Sequence, residues 1–206
     1  MSLKHSYALI APLYDAFLSA AMRDVRARSL AALTERPAGD VLIAGIGTGL
    51  DIPHLPSHHR YVGIDLTGAM LAKAKRRATG NHVRLVQGDV QRLPFADARF
   101  DAVVLHLILA VVPDPPSCLA EAARVLRPGG HVLVFDKFLK PGERAPWRRA
   151  LNSLTRHVAT RLDVVFEDVL AAAPTLERHH DEPALAGGWF RLIRLRKADR
   201  TAHRED

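Results

Sequence analysis

Residues Asp40 to Gly49 constrain this chain more than any other stretch. Asp40-Val41-Leu42-Ile43-Ala44 is a mostly apolar run of strand length, and it breaks directly into Gly45-Ile46-Gly47-Thr48-Gly49. An unbroken apolar run reads as a parallel strand buried on both faces. Glycines straight after it let the backbone turn sharply and let a ligand approach with no Cβ in the way. The dinucleotide fingerprint G-x-G-x-x-G needs its third glycine one place further on, and that place is Leu50. No Lys-Ser or Lys-Thr follows, which excludes a phosphate-binding P-loop. The run predicts a turn that holds a nucleoside rather than a pyrophosphate.

The next strand carries the matching acid. Tyr61-Val62-Gly63-Ile64-Asp65 reads as a second strand ending in a carboxylate, 20 residues after Gly45. In doubly wound folds an acid at about that spacing takes the ribose hydroxyls, because a carboxylate accepts from both O–H groups of a diol. A competing role for Asp65 is to cap the helix that begins near Thr67.

Taken together, these segments resemble the class I S-adenosylmethionine-dependent methyltransferases. Val41 to Gly49 is similar to their first motif, and Val62-Gly63-Ile64-Asp65-Leu66-Thr67-Gly68-Ala69-Met70-Leu71 to their second-strand motif. Val86-Gln87-Gly88-Asp89-Val90 with Leu93-Pro94-Phe95 resembles the adenine-binding segment. Phe100-Asp101-Ala102-Val103-Val104 resembles the fourth strand, and Arg124-Val125-Leu126-Arg127-Pro128-Gly129-Gly130 the turn before the fifth. The resemblance spans residues 7 to 136. Ala11-Pro12-Leu13-Tyr14-Asp15 and Val111-Val112-Pro113-Asp114-Pro115 look most like the small bacterial phospholipid and quinone methyltransferases. One departure stands out: where the family carries an acid two places before the first glycine, this chain has Ile43. The cofactor's ammonium must then be held by backbone carbonyls, water or another side chain.

The resemblance implies a site residue by residue. Backbone at Gly45, Ile46, Gly47, Thr48 and Gly49 approaches the amino acid and ribose of S-adenosylmethionine, whose product is S-adenosylhomocysteine. Asp65 takes the ribose, Asp89 the adenine amino group, the Val90 amide the ring, and Leu66 and Met70 the adenine face. His106, at the fourth strand's end, borders the cofactor and is the candidate base, since histidine titrates near neutrality; the competing reading is a neutral histidine hydrogen-bonded to the wall of the site. Tyr14 is the second catalytic candidate, closing over the cofactor from the N-terminal segment. Asp136 and Lys137, ending the fifth strand, are expected to face the acceptor or to form an ion pair. A thiol or carbanion-like acceptor needs no base, whereas a hydroxyl or ammonium must lose a proton.

The 206 residues, 48% of them hydrophobic, fit one domain. Strand–helix alternation predicts an α/β, Rossmann-like doubly wound sheet of seven strands, mostly parallel with a final antiparallel hairpin and helices on both faces. Residues 1–36 read as an N-terminal helical lid, 40–136 as the cofactor-binding core, and 137–197 as the substrate side and hairpin. Strands are expected from Val41, Tyr61, Val83, Ala102 and His131. Helices are expected over Tyr7–Leu33, Met70–Ala78, Ser117–Leu126, Arg144–Arg161 and Phe166–Ala173, and the hairpin over Thr175–Asp181 and Trp189–Arg196. Pro128-Gly129-Gly130 reads as a helix stop, and the alternation of Phe190 to Arg196 as a strand with basic residues outward.

No apolar stretch is long enough to cross a bilayer, and no secretory leader is apparent. The lone Cys118 has no internal disulfide partner and reads as a small buried hydrophobe in a reducing cytosol. No Cys/His cluster has zinc spacing, so no metal is expected. The net charge of +7 favours anionic partners. Apolar Tyr7 to Leu18, with Arg23, Arg26 and Arg28 beyond it, suits a lid or peripheral contact with an anionic membrane at its inner face. The apolar run His106-Leu107-Ile108-Leu109 suits a lipid, quinone or other small acceptor, and disfavours nucleic acid. A nucleic-acid or protein methyltransferase, or a non-catalytic S-adenosylmethionine binder, are the alternatives. The oligomeric state is left open.

Overall fold

The computed structural model describes residues 21–78, 83–139 and 163–199. Tyr14 and the expected helix Arg144–Arg161 lie outside them, as do the arginines of that helix. Helix α1 covers 21–34, followed by β1 (Asp40–Ala44), β2 (Arg60–Asp65), α2 (Gly68–Arg77) and β3 (Val83–Gln87). Next come β4 (Phe100–His106), α3 (Pro115–Val125), β5 (Leu126–Lys137), α4 (Phe166–Ala171), β6 (Leu176–Leu185) and β7 (Phe190–Lys197). The seven strands form one sheet in the order β3-β2-β1-β4-β5-β7-β6. β1 to β5 pair in parallel, and β7 runs antiparallel between β5 and β6. The expected sheet is therefore the observed one.

Alternate residues of each strand feed two cores. Leu42, Ala44, Val103 and Leu105 pack with Cys118, Leu119 and Ala122 of α3 and with Phe166 and Val169 of α4. Val41, Ile43, Ala102 and Val104 face the other way, with Leu30 and Leu33 of α1 and Ala74 of α2. Val25, Arg26, Ser29, Leu30 and Leu33 are all buried, and their spacing makes one stripe of α1. Asp114 caps α3, its carboxylate accepting from the Ser117 N–H at 3.2 Å, with Pro115 and Pro116 in the first turn. Cys118 is buried as expected, and burial pushes its thiol up to about 12.

Two expectations are corrected. β5 starts at Leu126, not His131, and runs through Pro128-Gly129-Gly130. The register jumps from Phe100↔Leu126 to Ala102↔His131, and Gly129 absorbs the extra residues at φ +72°. Bonds from the Ala98 and Arg99 N–H groups to the Arg124 and Val125 carbonyls tie the end of α3 to the entry of β4, and pairing on both sides of Pro128-Gly129-Gly130 makes that turn a bulge. In β7 the basic residues fall on both faces, because the pair Leu192-Ile193 breaks the alternation. The Arg191 guanidinium lies 5.5 Å from the Phe166 ring centroid on the α4 side and bonds Glu167 and Asp181. Lys197 Nζ donates to the Ala123 and Leu126 carbonyls.

Asp40, at the entry of β1, shows how charge is held at the base of the sheet. Hydrogen bonds from Arg60 and Arg99 outweigh its burial and hold its carboxyl down to about 2. A carboxyl depressed in the folded state contributes stability above the unfolded value near 4, and loses it as pH falls toward 2. The unfolding temperature should therefore drop across pH 4 to 2, and Asp40→Asn should flatten that slope. Circular dichroism melts at stepped pH measure this, and an unchanged slope would remove Asp40 from the acid response.

Candidate active site

The sheet reverses strand order between β1 and β4, and ligands of open α/β sheets bind at that switch, beyond the carboxyl ends of the strands. Residues 45–51 leave β1 there. Gly45, Gly47 and Gly49 all have positive φ, at +74°, +55° and +82°. The Gly45 and Ile46 N–H groups both donate to the Ile64 carbonyl, and the Gly49 N–H to the Ile46 carbonyl, which winds the loop tightly over the end of β2.

Asp65 is the second anchor of that loop. Its Oδ2 accepts from the Gly47 N–H at 2.9 Å, and its Oδ1 from the Thr67 N–H at 3.0 Å and the Thr67 hydroxyl at 3.2 Å. The carboxylate thus ties the glycine loop to the start of α2. It is only half-buried, and two oxygens offer about four acceptor positions in all, so beside these three bonds one position remains, on Oδ2, for a ribose hydroxyl. Leu66 and Met70 follow it at 64% and 39% exposure, among the few large apolar side chains left open to solvent. A β-carbon on Gly47 would have no neighbour nearer than the Gly45 carbonyl at 4.0 Å, so the loop is open on that side. An open loop, a carboxylate with one acceptor position to spare and an uncovered apolar wall fit a nucleoside-bearing cofactor such as S-adenosylmethionine.

Asp89 follows β3. Its Oδ1 accepts from the Gln91 N–H at 2.9 Å and from Gln91 Nε2 at 3.1 Å. Gln91 Oε1 then accepts from the Asp114 N–H, which links the segment to the cap of α3. The Val90 side chain is buried, and its N–H donates to no group among the described residues. Asp89, Val90 and Asp65 therefore come together at neighbouring strand ends.

His106 ends β4 as expected, with its ring turned inward. Its side chain is 1% exposed. Nδ1 donates to Asp51 Oδ1 at 2.8 Å, and Nε2 lies 2.9 Å from Ser29 Oγ. Asp51 Oδ1 also accepts from Arg26 Nη1 at 2.7 Å. Burial raises the Asp51 carboxyl, but His106 and Arg26 outweigh it and hold the group down to about 2. A base needs a nitrogen within hydrogen-bond reach of the acceptor, and both ring nitrogens are already engaged inside the protein. Sequence reasoning missed Arg26, Ser29 and Asp51. The one available signal was Asp51 itself, an acid inside the apolar stretch Leu50 to Leu55.

Asp136 is buried under the segment that follows β4. Its Oδ2 accepts from the Ala110 N–H at 3.1 Å and its Oδ1 from its neighbour's N–H, and burial raises its carboxyl. Burial likewise lowers the ammonium of Lys137, beside it on β5. Asp136 pins the turn in which Leu107 takes a positive φ of +56°. Ile43 is buried at the centre of the α1-side core, against Leu30, Leu33 and Ile52. A separate concavity of about 840 Å³ lies at the opposite end of the sheet, between Asp97, Arg124, Pro174 and Lys197, away from these groups. The described residues hold no cluster of three metal-ligating side chains, and no helix among them is long and apolar enough to cross a membrane.

Comparison with known proteins agrees with this geometry. A family model described as a methyltransferase domain matches residues 42–134. A phosphatidylethanolamine N-methyltransferase of Cereibacter sphaeroides is 32% identical over 190 residues, covering 90% of this chain and 93% of its own. The chain belongs to the S-adenosylmethionine-dependent methyltransferases. A fatty-acid O-methyltransferase of Mycolicibacterium smegmatis is 33% identical to this methyltransferase, over 79% of this chain and 62% of its own. The YcgJ protein of Bacillus subtilis has the same fold, with a TM-score of 0.68 at 19% identity over 84% of this chain and 99% of its own.

Proposed function

We propose that this methyltransferase methylates the amino nitrogen of an aminophospholipid headgroup, of the phosphatidylethanolamine type. The observation that carries the reading is the match of nearly the whole chain to the Cereibacter enzyme of that name. The fatty-acid enzyme and a ubiquinone/menaquinone C-methyltransferase of Desulfotalea psychrophila match over less of their own length, at 62% and 42%. The apolar segment after β4, with Val111 left 42% exposed, supports a greasy acceptor.

In this reading backbone at Gly45, Ile46, Gly47, Thr48 and Gly49 cradles the cofactor's amino acid and ribose. The remaining acceptor position of Asp65 takes a ribose hydroxyl, Asp89 the adenine amino group and Val90 N–H the ring, while Leu66 and Met70 cover its face. S-adenosylmethionine, when bound, supplies a sulfonium-activated methyl group open to attack by an amine. The protein's task is then orientation and exclusion of water. Tyr14 would contribute to that closure from the N-terminal segment. The attacking amine must be unprotonated. His106, with both nitrogens engaged, acts on the site through its contacts and leaves the amine proton to water. The net charge of +7 supports peripheral contact with the anionic inner face of a membrane.

The test is incubation of the full chain with S-adenosylmethionine and mixed phosphatidylethanolamine–phosphatidylglycerol vesicles, read by lipid mass spectrometry. Mono-methylated headgroups are the expected product. Turnover on demethylmenaquinone or free fatty acid with none on the vesicles would overturn the acceptor assignment.

A further inference from the structure

The four residues Arg26, Ser29, Asp51 and His106 form a closed polar network where the methyltransferase core would otherwise be apolar. Arg26 and Ser29 lie one turn apart on the buried face of α1, Asp51 closes the glycine loop, and His106 ends β4. Each contact joins segments distant in the chain, and all four residues are at most 9% exposed. Leu30, Leu33, Ile43, Ile46 and Ile52 share one apolar core and already supply adhesion between α1 and the sheet. A buried ionic cluster adds little adhesion over apolar residues of the same volume. What it adds is direction: one carboxylate oxygen must meet a guanidinium from α1 and an imidazole from β4 at once.

We propose that this quartet is a positioning clamp for the cofactor loop, with Asp51 as its pivot. The loop is then held between two carboxylates. Asp65 fixes its middle through the Gly47 N–H, and Asp51 fixes its far end against α1 and β4. Ile52 N–H bonds the Gly49 carbonyl, so a displacement of Asp51 passes directly into the glycine turn. Arg26, Ser29, Asp51 and His106 are positioning residues: they bond one another and set the backbone of the loop. The inference rests on the cofactor reading above.

Titration of S-adenosylhomocysteine into the full chain by calorimetry, beside thermal melts, tests it. Asp51→Asn keeps the volume and removes the charge, and should raise Kd at least tenfold. Ser29→Ala, which loses one contact to His106, should raise it three- to fivefold. Asp40→Asn disrupts a comparable carboxylate–arginine cluster at the other end of β1. It should lower the melting temperature while leaving Kd within twofold of the parent chain. A Kd unchanged in Asp51→Asn, or raised equally in Asp40→Asn, overturns the clamp. If Asp51→Asn does not fold, an unchanged Kd in Ser29→Ala overturns it instead. Absence of binding to the parent chain is a different result: it sinks the cofactor reading, and the clamp falls with it.

Discussion

Gly49→Ala should lower the unfolding temperature by about 6–12 °C, whereas Gly47→Ala should lower it less, by about 2–8 °C, and also weaken cofactor binding. Both glycines have positive φ, at +82° and +55°, which costs an L-residue roughly 1–2 kcal/mol. Their surroundings differ. A β-carbon on Gly49 would stand 2.7 Å from Ile52 Cδ1 and 3.1 Å from the Ala74 Cα on α2. The backbone of a packed helix cannot yield cheaply, and overpacking of this kind adds about 1–3 kcal/mol. The sum is near 3 kcal/mol, at roughly 2–4 °C for each kcal/mol in a chain of this size. A β-carbon on Gly47 would project into open space, its nearest neighbour being the Gly45 carbonyl at 4.0 Å. That space is where the cofactor is proposed to approach. Scanning calorimetry and S-adenosylhomocysteine titration on the two variants read the two effects separately. A Gly47→Ala chain that binds as tightly as the parent would place the cofactor elsewhere.

Asp65→Ala should weaken S-adenosylmethionine binding by roughly 10- to 150-fold for each charged hydrogen bond lost, from about 1.5–3 kcal/mol per bond. Two contributions act in the same direction. On the proposed reading the ribose loses its acceptor, and the Gly47 N–H loses the Oδ2 partner that sets the loop. Asp65→Asn separates them, because an amide oxygen can still accept from Gly47 but carries no charge to strengthen a ribose bond. Its affinity should fall between those of the parent chain and Asp65→Ala. Equal affinity in all three chains would remove Asp65 from the site.

These two experiments concern the part of the site that could be read from the chain itself. The strand of Asp40 to Ala44, the glycines behind it and Asp65 at the end of the next strand are local patterns. Each arises from hydrophobic periodicity or from backbone freedom within a few residues, so sequence order suffices to find it. Strand ends shifted where local rules competed with pairing. Pro128-Gly129-Gly130 would stop a helix by its composition, but pairing with β4 drew the segment into β5 and turned it into a bulge.

The sequence by itself determined the alternation of strands and helices, the glycine turn and the order of the acids Asp65 and Asp89 along the chain. It also determined that position 43 carries no acid. The tertiary structure decided that His106 faces inward, with Asp51 and Ser29 closed around its two nitrogens. It decided too that Asp136 is buried beneath the turn after β4 rather than presented at its mouth. The physical reason is separation: Arg26, Ser29 and Asp51 are 25 to 77 residues from the groups they bond. No periodicity records contacts of that range. They exist because the sheet sets β4 beside β1 and α1 packs across both, which brings these side chains to one buried point.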